Sequence, residues 1–190
     1  MKEIKGDYMI NKLGWKIGGE QGEGIESTAE IFSTVVNTLG YHMYSTRDFS
    51  SRIKGGHSNS KICISEEKIS VIDYKTDILI AFDQATLDSY IPELDENSII
   101  IVDAKIKPEI SEEIKGLVAV FPITDLAKEI ANPIIKNIIT LGICSALLDI
   151  DSKLFYDMID SKFASKGEEI VNINIQAFDK GREIMSEFME

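Results

Sequence analysis

Seven residues in a row, Gly18-Gly19-Glu20-Gln21-Gly22-Glu23-Gly24, hold four glycines just ahead of an apolar-periodic stretch. A glycine-rich turn between a strand and a helix lets the backbone approach an anion, while the helix N-terminus supplies free N–H groups and a positive dipole end. A phosphate or pyrophosphate is the natural ligand of such a turn. The spacing Gly19-x-x-Gly22-x-Gly24 is not that of the dinucleotide fingerprint. No acidic residue stands about twenty positions on, where a ribose would be held; His42 and Met43 are there instead. No Lys-Ser/Thr pair follows, so a P-loop is excluded. Three readings of the turn stand: a tight connection without ligand, a phosphate or coenzyme site, and classical NAD binding. Glu20 and Glu23 would repel a phosphate unless they point away.

A second constellation is electrostatic. Residues 47–61 hold Arg47, Arg52, Lys54 and Lys61 against Asp48, a net of +3 on a chain of net charge −12. A basic segment on an acidic protein draws an anionic ligand or an acidic partner face, and Gly55-Gly56 inside it permits close approach. The bland alternative is a solvated loop that neutralises neighbouring carboxylates. His57 comes directly after the glycine pair and could bond a phosphate or a carboxylate. As a general base it has no nucleophile tied to it by sequence, and Ser58 beside it needs geometry to be judged. His42 reads as a structural strand residue. Asp83 and Asp103 each end an apolar run, where they would lie at the carboxyl edge of a parallel sheet or cap the next element. Cys63 and Cys144 lie far apart in apolar stretches. Without a CxxC or a Cys/His pair they suit buried thiols rather than a zinc or iron–sulfur site.

These residues need elements to position them. Residues 12–18 predict a strand, and Ile25, Ala29, Phe32, Val35, Val36 and Leu39 a helix that stops at Gly40. Tyr41–Ser45 reads as a second strand and residues 46–60 as a long loop. Lys61–Ser65 and Lys68–Ile72 read as a hairpin around Glu66-Glu67. The apolar runs 77–82, 98–102 and 117–121 suit parallel strands covered on both faces. Thr124 or Asp125 could cap a helix that ends before Asn132-Pro133. Helices are expected over 136–149, 152–164 and 167–188, although Ile170–Ile175 alternates like a strand. The fold class is therefore α/β: a Rossmann-like three-layer domain, with a mostly parallel sheet, a β-hairpin and a helical C-terminal part. Length and the absence of a linker indicate one domain over 1–190.

Composition narrows the partners. With 20 Lys and Arg against 32 Asp and Glu, general nucleic-acid binding or adhesion to an anionic membrane is disfavoured. No stretch approaches eighteen uncharged apolar residues, and the N-terminus lacks a signal-peptide h-region. The expected location is the cytoplasm.

Four motifs in order carry a resemblance. Gly19-Glu20-Gln21-Gly22-Glu23-Gly24-Ile25, Ser51-Arg52-Ile53-Lys54-Gly55-Gly56-His57, Asn137-Ile138-Ile139-Thr140-Leu141-Gly142 and Asn174-Ile175-Gln176-Ala177-Phe178-x-x-Gly181 together resemble the gamma domain of 2-oxoacid:ferredoxin oxidoreductases. This is the pyruvate/2-oxoglutarate ferredoxin oxidoreductase family, and the likeness is nearest to the form fused ahead of the alpha domain. It spans about residues 13–185. Gln21 and Glu23 stand where the fused form often has Ala and Gln. The resemblance implies a component of an enzyme that oxidatively decarboxylates a 2-oxoacid, passes electrons to ferredoxin and transfers the acyl group to coenzyme A. It implies alpha and beta partners, and in some members delta, which carry thiamine diphosphate and iron–sulfur clusters. This chain would hold no catalytic or metal-ligating residue of its own. It would support assembly and contribute to coenzyme A binding through Gly19, Gln21, Gly22, Gly24, Arg52, Lys54, Gly55, Gly56 and His57. The chain is then either a free-standing gamma subunit or the N-terminal part of a longer alpha subunit. The alternatives are an independent nucleotide- or coenzyme-binding module and a pure scaffold.

Overall fold

Trp15 and Ile17 alternate with Lys16 and Gly18 along the first strand, so one face of it must be buried in apolar surroundings. In the computed structural model, which describes residues 11–49, 56–69 and 75–190, this strand is β1 (Lys12–Glu20). It is followed by α1 (Ile25–Thr38), which turns Ile25, Ala29, Phe32, Val35 and Val36 inward. Gly40, at φ +89°, ends α1 in a conformation that favours glycine. Then come β2 (His42–Phe49), β3 (His57–Ser65), β4 (Ile78–Ala81), α2 (Gln84–Ser89), β5 (Ile99–Asp103) and β6 (Leu117–Phe121). The remainder is helical: α3 (Ile123–Ile130), α4 (Lys136–Leu147), α5 (Ser152–Phe163) and α6 (Glu168–Met189).

The strands form one sheet in the order β2-β3-β1-β4-β5-β6. β1, β4, β5 and β6 run parallel, and β3 runs antiparallel between β1 and β2. The sheet is the middle of three layers. On one face, α1 and α3–α6 build the larger core around Trp15, Phe32, Phe155 and Phe178. On the other, α2 and the segment after it cover Leu79, Ala81, Leu87, Ile100 and Val102. Trp15 stacks on Phe32 with ring centroids 4.7 Å apart, and its indole N–H donates to Sγ of Cys144 at 3.4 Å. Burial pushes the Cys144 thiol up to about 12. Both cysteines are buried free thiols.

Several expectations need correction. The hairpin of the sheet is β2–β3, not Lys61–Ser65 with Lys68–Ile72. Both edges of β3 are taken by β1 and β2, and Lys68 and Ile69 lie in no strand. Residues 70–72 of that expected arm fall outside the described residues. The long loop expected over 46–60 is mostly ladder, because β2 runs on to Phe49 and β3 starts at His57. Its polar side chains hid the strand signal, since alternation is visible only when one face is apolar. Neither Thr124 nor Asp125 caps α3, whose N-cap position is Pro122. The helix expected over 167–188 holds: Ile170–Ile175, despite its strand-like alternation, lies inside α6, which buries Val171, Asn174, Phe178 and Gly181 at helical spacing. The short α2, capped by Asp83, was not anticipated.

On the outer face, Lys16 of β1 and Lys61 of β3 are register partners, and both are buried. They share one carboxylate: Lys16 Nζ donates to Oε1 of Glu93 at 2.6 Å and Lys61 Nζ to Oε2 at 2.9 Å. Thr76 Oγ1 adds a third bond at 2.6 Å, and Lys16 Nζ stands 3.5 Å over the Tyr90 ring. Burial alone would raise the Glu93 pKa, but bonds from Lys16, Thr76 and Lys61 outweigh it and hold the carboxyl below its usual range. A carboxylate depressed on folding contributes stability that is complete above its unfolded value and lost as pH falls through the folded one. Glu93→Gln is therefore expected to destabilise at neutral pH, with the deficit shrinking as pH drops below the ordinary value of 4.5. Urea midpoints of both proteins across this range test it. A deficit that grows towards acid would contradict the ion-pair account.

Candidate functional site

β1, β4 and β5 deliver their carboxyl ends side by side: Gly18-Gly19-Glu20, then Phe82-Asp83, then Asp103. From β1 the chain leaves to α1 on the larger-core face, and from β4 to α2 on the opposite face. A crevice forms where connections diverge in this way, and open α/β sheets bind ligands there. β3 is antiparallel to β1, so its first residue, His57, pairs with Glu20 at the same edge. The glycine turn and the Gly56-His57 corner therefore meet, and Gln21 N–H donates to the Gly56 carbonyl at 2.9 Å.

The inside of the glycine turn is already filled. Glu23 folds back so that Oε2 accepts the Glu20 backbone N–H at 2.9 Å, while Oε1 accepts from Lys136 Nζ. Lys136, 4 % exposed at its side chain, also lies 4.0 Å from Asp103 Oδ2 and 4.3 Å from the Phe82 ring centroid. Asp103 in turn accepts from Thr124 N–H at 3.2 Å, from Thr124 Oγ1 and from Lys105 N–H at 3.2 Å. A cation in the first turn of a helix opposes the helix dipole, so two carboxylates must account for Lys136 standing at the start of α4. The glycines make room for these protein groups. A Cβ on Gly19 would lie 2.6 Å from Glu23 Oε2, and one on Gly24 would lie 2.4 Å from Asn137 Nδ2. Gly22, at φ +97°, faces open space.

The outer side of the turn is open. Gly24 gives α1 no side-chain cap, so the first N–H groups of the helix face a cleft of about 430 Å³ whose lining includes Gln21, Gly22, Glu26, Ser27, Ser58 and Ile134. The Glu26 carboxylate there is paired with Arg47 at 3.4 Å. Ser58 is 4 % exposed, and its hydroxyl makes no hydrogen bond among the described residues. Beside it, His57 Nδ1 lies 3.4 Å from Asp83 Oδ2, a long contact. Asp83 is itself held, its Oδ1 accepting Thr86 N–H at 2.7 Å and Thr86 Oγ1 at 2.6 Å. His57 Nε2 is buried without a partner among the described residues.

Of the residues singled out from sequence, Gly19, Gln21, Gly22, Gly24, Gly56 and His57 come together at this edge. Arg52, Lys54 and Gly55 lie outside the described residues. The basic segment is partly dismantled: Lys61 points to the outer face under Glu93, and Arg47 reaches Glu26 at 3.4 Å. The repulsion expected from Glu23 is absent because Lys136 compensates it, and Glu20 is exposed. Sequence reasoning missed Lys136 and Asn137 as site residues. A lone lysine opening the otherwise apolar run Ile138–Ile143 was the available signal. His42 lies on β2 and is exposed. Among the described residues, no cluster of three metal-ligating side chains occurs, and no helix is long and apolar enough to cross a membrane.

The fold is a three-layer α/β domain with a crevice at the carboxyl edge of its sheet, where Glu23, Lys136, Asp103 and Thr124 bond to one another. The chain belongs to the pyruvate ferredoxin/flavodoxin oxidoreductase family, whose model matches residues 14–184. It is 30 % identical over 195 residues to a 2-oxoacid:ferredoxin oxidoreductase subunit alpha from Sulfolobus, covering 80 % of this chain and 30 % of that one. It thus spans about a third of that relative. To the 2-oxoglutarate synthase subunit KorC of Methanocaldococcus jannaschii it is 31 % identical over 145 residues, covering 75 % of this chain and 76 % of the relative. Among solved structures, the 2-oxoglutarate:ferredoxin oxidoreductase from Magnetococcus marinus, with 2-oxoglutarate, coenzyme A and succinyl-CoA bound, matches 93 % of this chain and 31 % of its own. The TM-score is 0.87 and the identity 26 %.

Proposed function

We propose that this chain is the gamma component of a 2-oxoacid:ferredoxin oxidoreductase, supporting subunit assembly and binding coenzyme A for the CoA-dependent oxidative decarboxylation of a 2-oxoacid. The observation that carries the reading is the match over 93 % of the chain to an oxidoreductase with coenzyme A bound. The residues present suit the coenzyme: uncapped N–H groups of α1 and Ser58 line one cleft, and backbone N–H and hydroxyl groups are donors to phosphate oxygens. The coenzyme supplies the thiol that takes the acyl group. The chain's own part is to bind and orient it, with Arg52 and Lys54 adding charge and His57, steadied by Asp83, closing one side. Thiamine diphosphate and the iron–sulfur clusters belong to alpha, beta or delta partners in this reading, since the donor set of Cys63 and Cys144 is buried and dispersed. Ferredoxin is met through those partners, in the cytoplasm.

The test starts with capture of the tagged chain from its own cells and assay of the complex for CoA-dependent dye reduction with a panel of 2-oxoacids. Neutralising Arg52 and Lys54 together is expected to raise the KM for coenzyme A roughly tenfold to a hundredfold, the loss of one or two charge-assisted hydrogen bonds. Unchanged coenzyme affinity with failed assembly would instead make the basic segment a subunit interface.

A further inference from the structure

β6 is the last strand in the sheet order, so one of its edges has no strand beside it. The direction of its backbone groups follows from the parallel ladder. Leu117 N–H donates to the Ser98 carbonyl at 2.8 Å, so Leu117, Ala119 and Phe121 aim their N–H and C=O groups at β5. Val118 and Val120 aim theirs outward, and among the described residues no hydrogen bond reaches them. The opposite edge of the sheet is β2, which carries exposed Arg47 and Asp48. Charges of that kind blunt an edge against pairing, whereas an uncharged apolar edge invites it. Leu117-Val118-Ala119-Val120-Phe121 holds no charge. Leu117 is 53 % exposed and Val120 45 %, and the exposed Phe188 at the end of α6 meets Phe121 edge-on at 5.4 Å.

We propose that this edge pairs with the same edge of a second copy, β6 against β6 antiparallel about Ala119, joining two sheets into one. This goes beyond the reading above and does not depend on it. The strand is self-complementary in that register. Val118 faces Val120 of the second copy, and since both present outward groups, each such pair exchanges both of its hydrogen bonds. Ala119 meets Ala119 of the second copy on the two-fold axis, in a non-hydrogen-bonded pair where side chains come closest and a small one fits. Leu117 faces Phe121 of the second copy, on the face where Phe188 stands exposed. Neighbouring registers fail. Centring on Val120 sets Val118 against Pro122, which has no N–H. Centring on Val118 sets the charge of Lys115 against Phe121. Charge complementarity favours the Ala119 register as well. It brings the exposed Lys115 level with Ile123 of the second copy, at the start of α3, beside the exposed Asp125 in the same turn. Symmetry makes this contact twice. The strand is short, so a reversible equilibrium is expected rather than a permanent dimer.

Sedimentation of the full chain over a range of concentrations reads the association. Salt at about 0.15 M screens the repulsion between two chains of net charge −12. The mass is expected to rise from one chain to two and to stop there. Val120→Pro removes an outward N–H at an edge position that tolerates proline, and should weaken pairing roughly tenfold or more. Val120→Thr keeps the N–H and should weaken it far less. Lys115→Glu should weaken pairing about fivefold, and adding Asp125→Lys should restore it by re-forming the pair with its signs exchanged. All three positions are exposed, so the fold should be retained, and thermal melts check this. A zero-length carbodiimide cross-linker applied to mixed light and heavy-isotope chains should join Lys115 to Asp125 between copies. A mass of one chain throughout, growth beyond two, equal effects of Val120→Pro and Val120→Thr, or a charge exchange that fails to restore pairing would overturn the proposal. A cross-link from Lys115 to a different subunit in the assembled oxidoreductase would also overturn it, making the edge a heteromeric interface.

Discussion

Gly181→Val is expected to destabilise the protein by about 3 kcal/mol, the upper part of the range for forcing extra atoms into a packed interior. For a chain of this length that corresponds to a melting temperature roughly 6–12 °C lower. The reason is the crossing of α4 and α6. A Cβ on Gly181 would lie 1.9 Å from the carbonyl oxygen of Ile139, and one on Gly142 would lie 1.9 Å from that of Phe178. Each glycine receives the other helix's backbone, so neither clash can be relieved by a side-chain rotation. α4 is buried along nearly its whole length, and its displacement would disturb packing against α1, α3 and α6 alike. Gly22→Ala provides the contrast. Nothing lies within 4 Å of its added Cβ, and only the left-handed φ of +97° is strained, at a cost of about 1–2 kcal/mol. Thermal or urea denaturation ranks the two. If Gly181→Val proved the milder, the close crossing would be wrong.

Lys136→Met should cost about 3–5 kcal/mol, as removal of one partner from a buried ion pair typically does. It would leave Asp103 (1 % exposed) and Glu23 facing the vacated space without a counter-charge. Lys136→Met combined with Glu23→Gln should recover part of this, because removing both charges is less damaging than orphaning one. A double-mutant cycle by urea denaturation measures the coupling. Additivity within about 0.5 kcal/mol would mean that the two side chains do not act together. A local readout accompanies the global one. Glu23 lends its other oxygen to the Glu20 N–H, so amide exchange at Glu20 should accelerate in Lys136→Met even under conditions where the protein stays folded.

Much of the scaffold was legible from residue order. The run 78–82 is apolar throughout because both faces of its strand are covered, and α4, α5 and α6 lie within a few residues of their expected spans. Leu117–Phe121, expected to be covered on both faces, is instead the edge strand β6 and leaves Leu117 and Val120 exposed. Burial periodicity is a local property, so it survives without knowledge of neighbours. The β2–β3 hairpin was not legible, because Arg47, Asp48, Asn59 and Ser60 carry no apolar alternation. Their pairing rests on backbone hydrogen bonds to strands that lie elsewhere in the chain. α2 escaped for a related reason: six residues with only Thr86 and Leu87 buried offer too little pattern.

The candidate site divides in the same way. The strand–turn–helix at Gly19–Gly24 and the carboxyl-edge positions of Asp83 and Asp103 follow from residue types and spacing alone, while the four ordered motifs carried a resemblance to the family whose model matches residues 14–184. Which charges meet does not. Lys61 stands in the basic segment by sequence, yet serves Glu93 on the outer face. Glu23 reads as a repulsive carboxylate, yet becomes the turn's own anion because Lys136, 113 residues away, reaches it. Close electrostatic pairing depends on separations of a few ångströms, and those are set by how α4 crosses α6 and packs on the sheet.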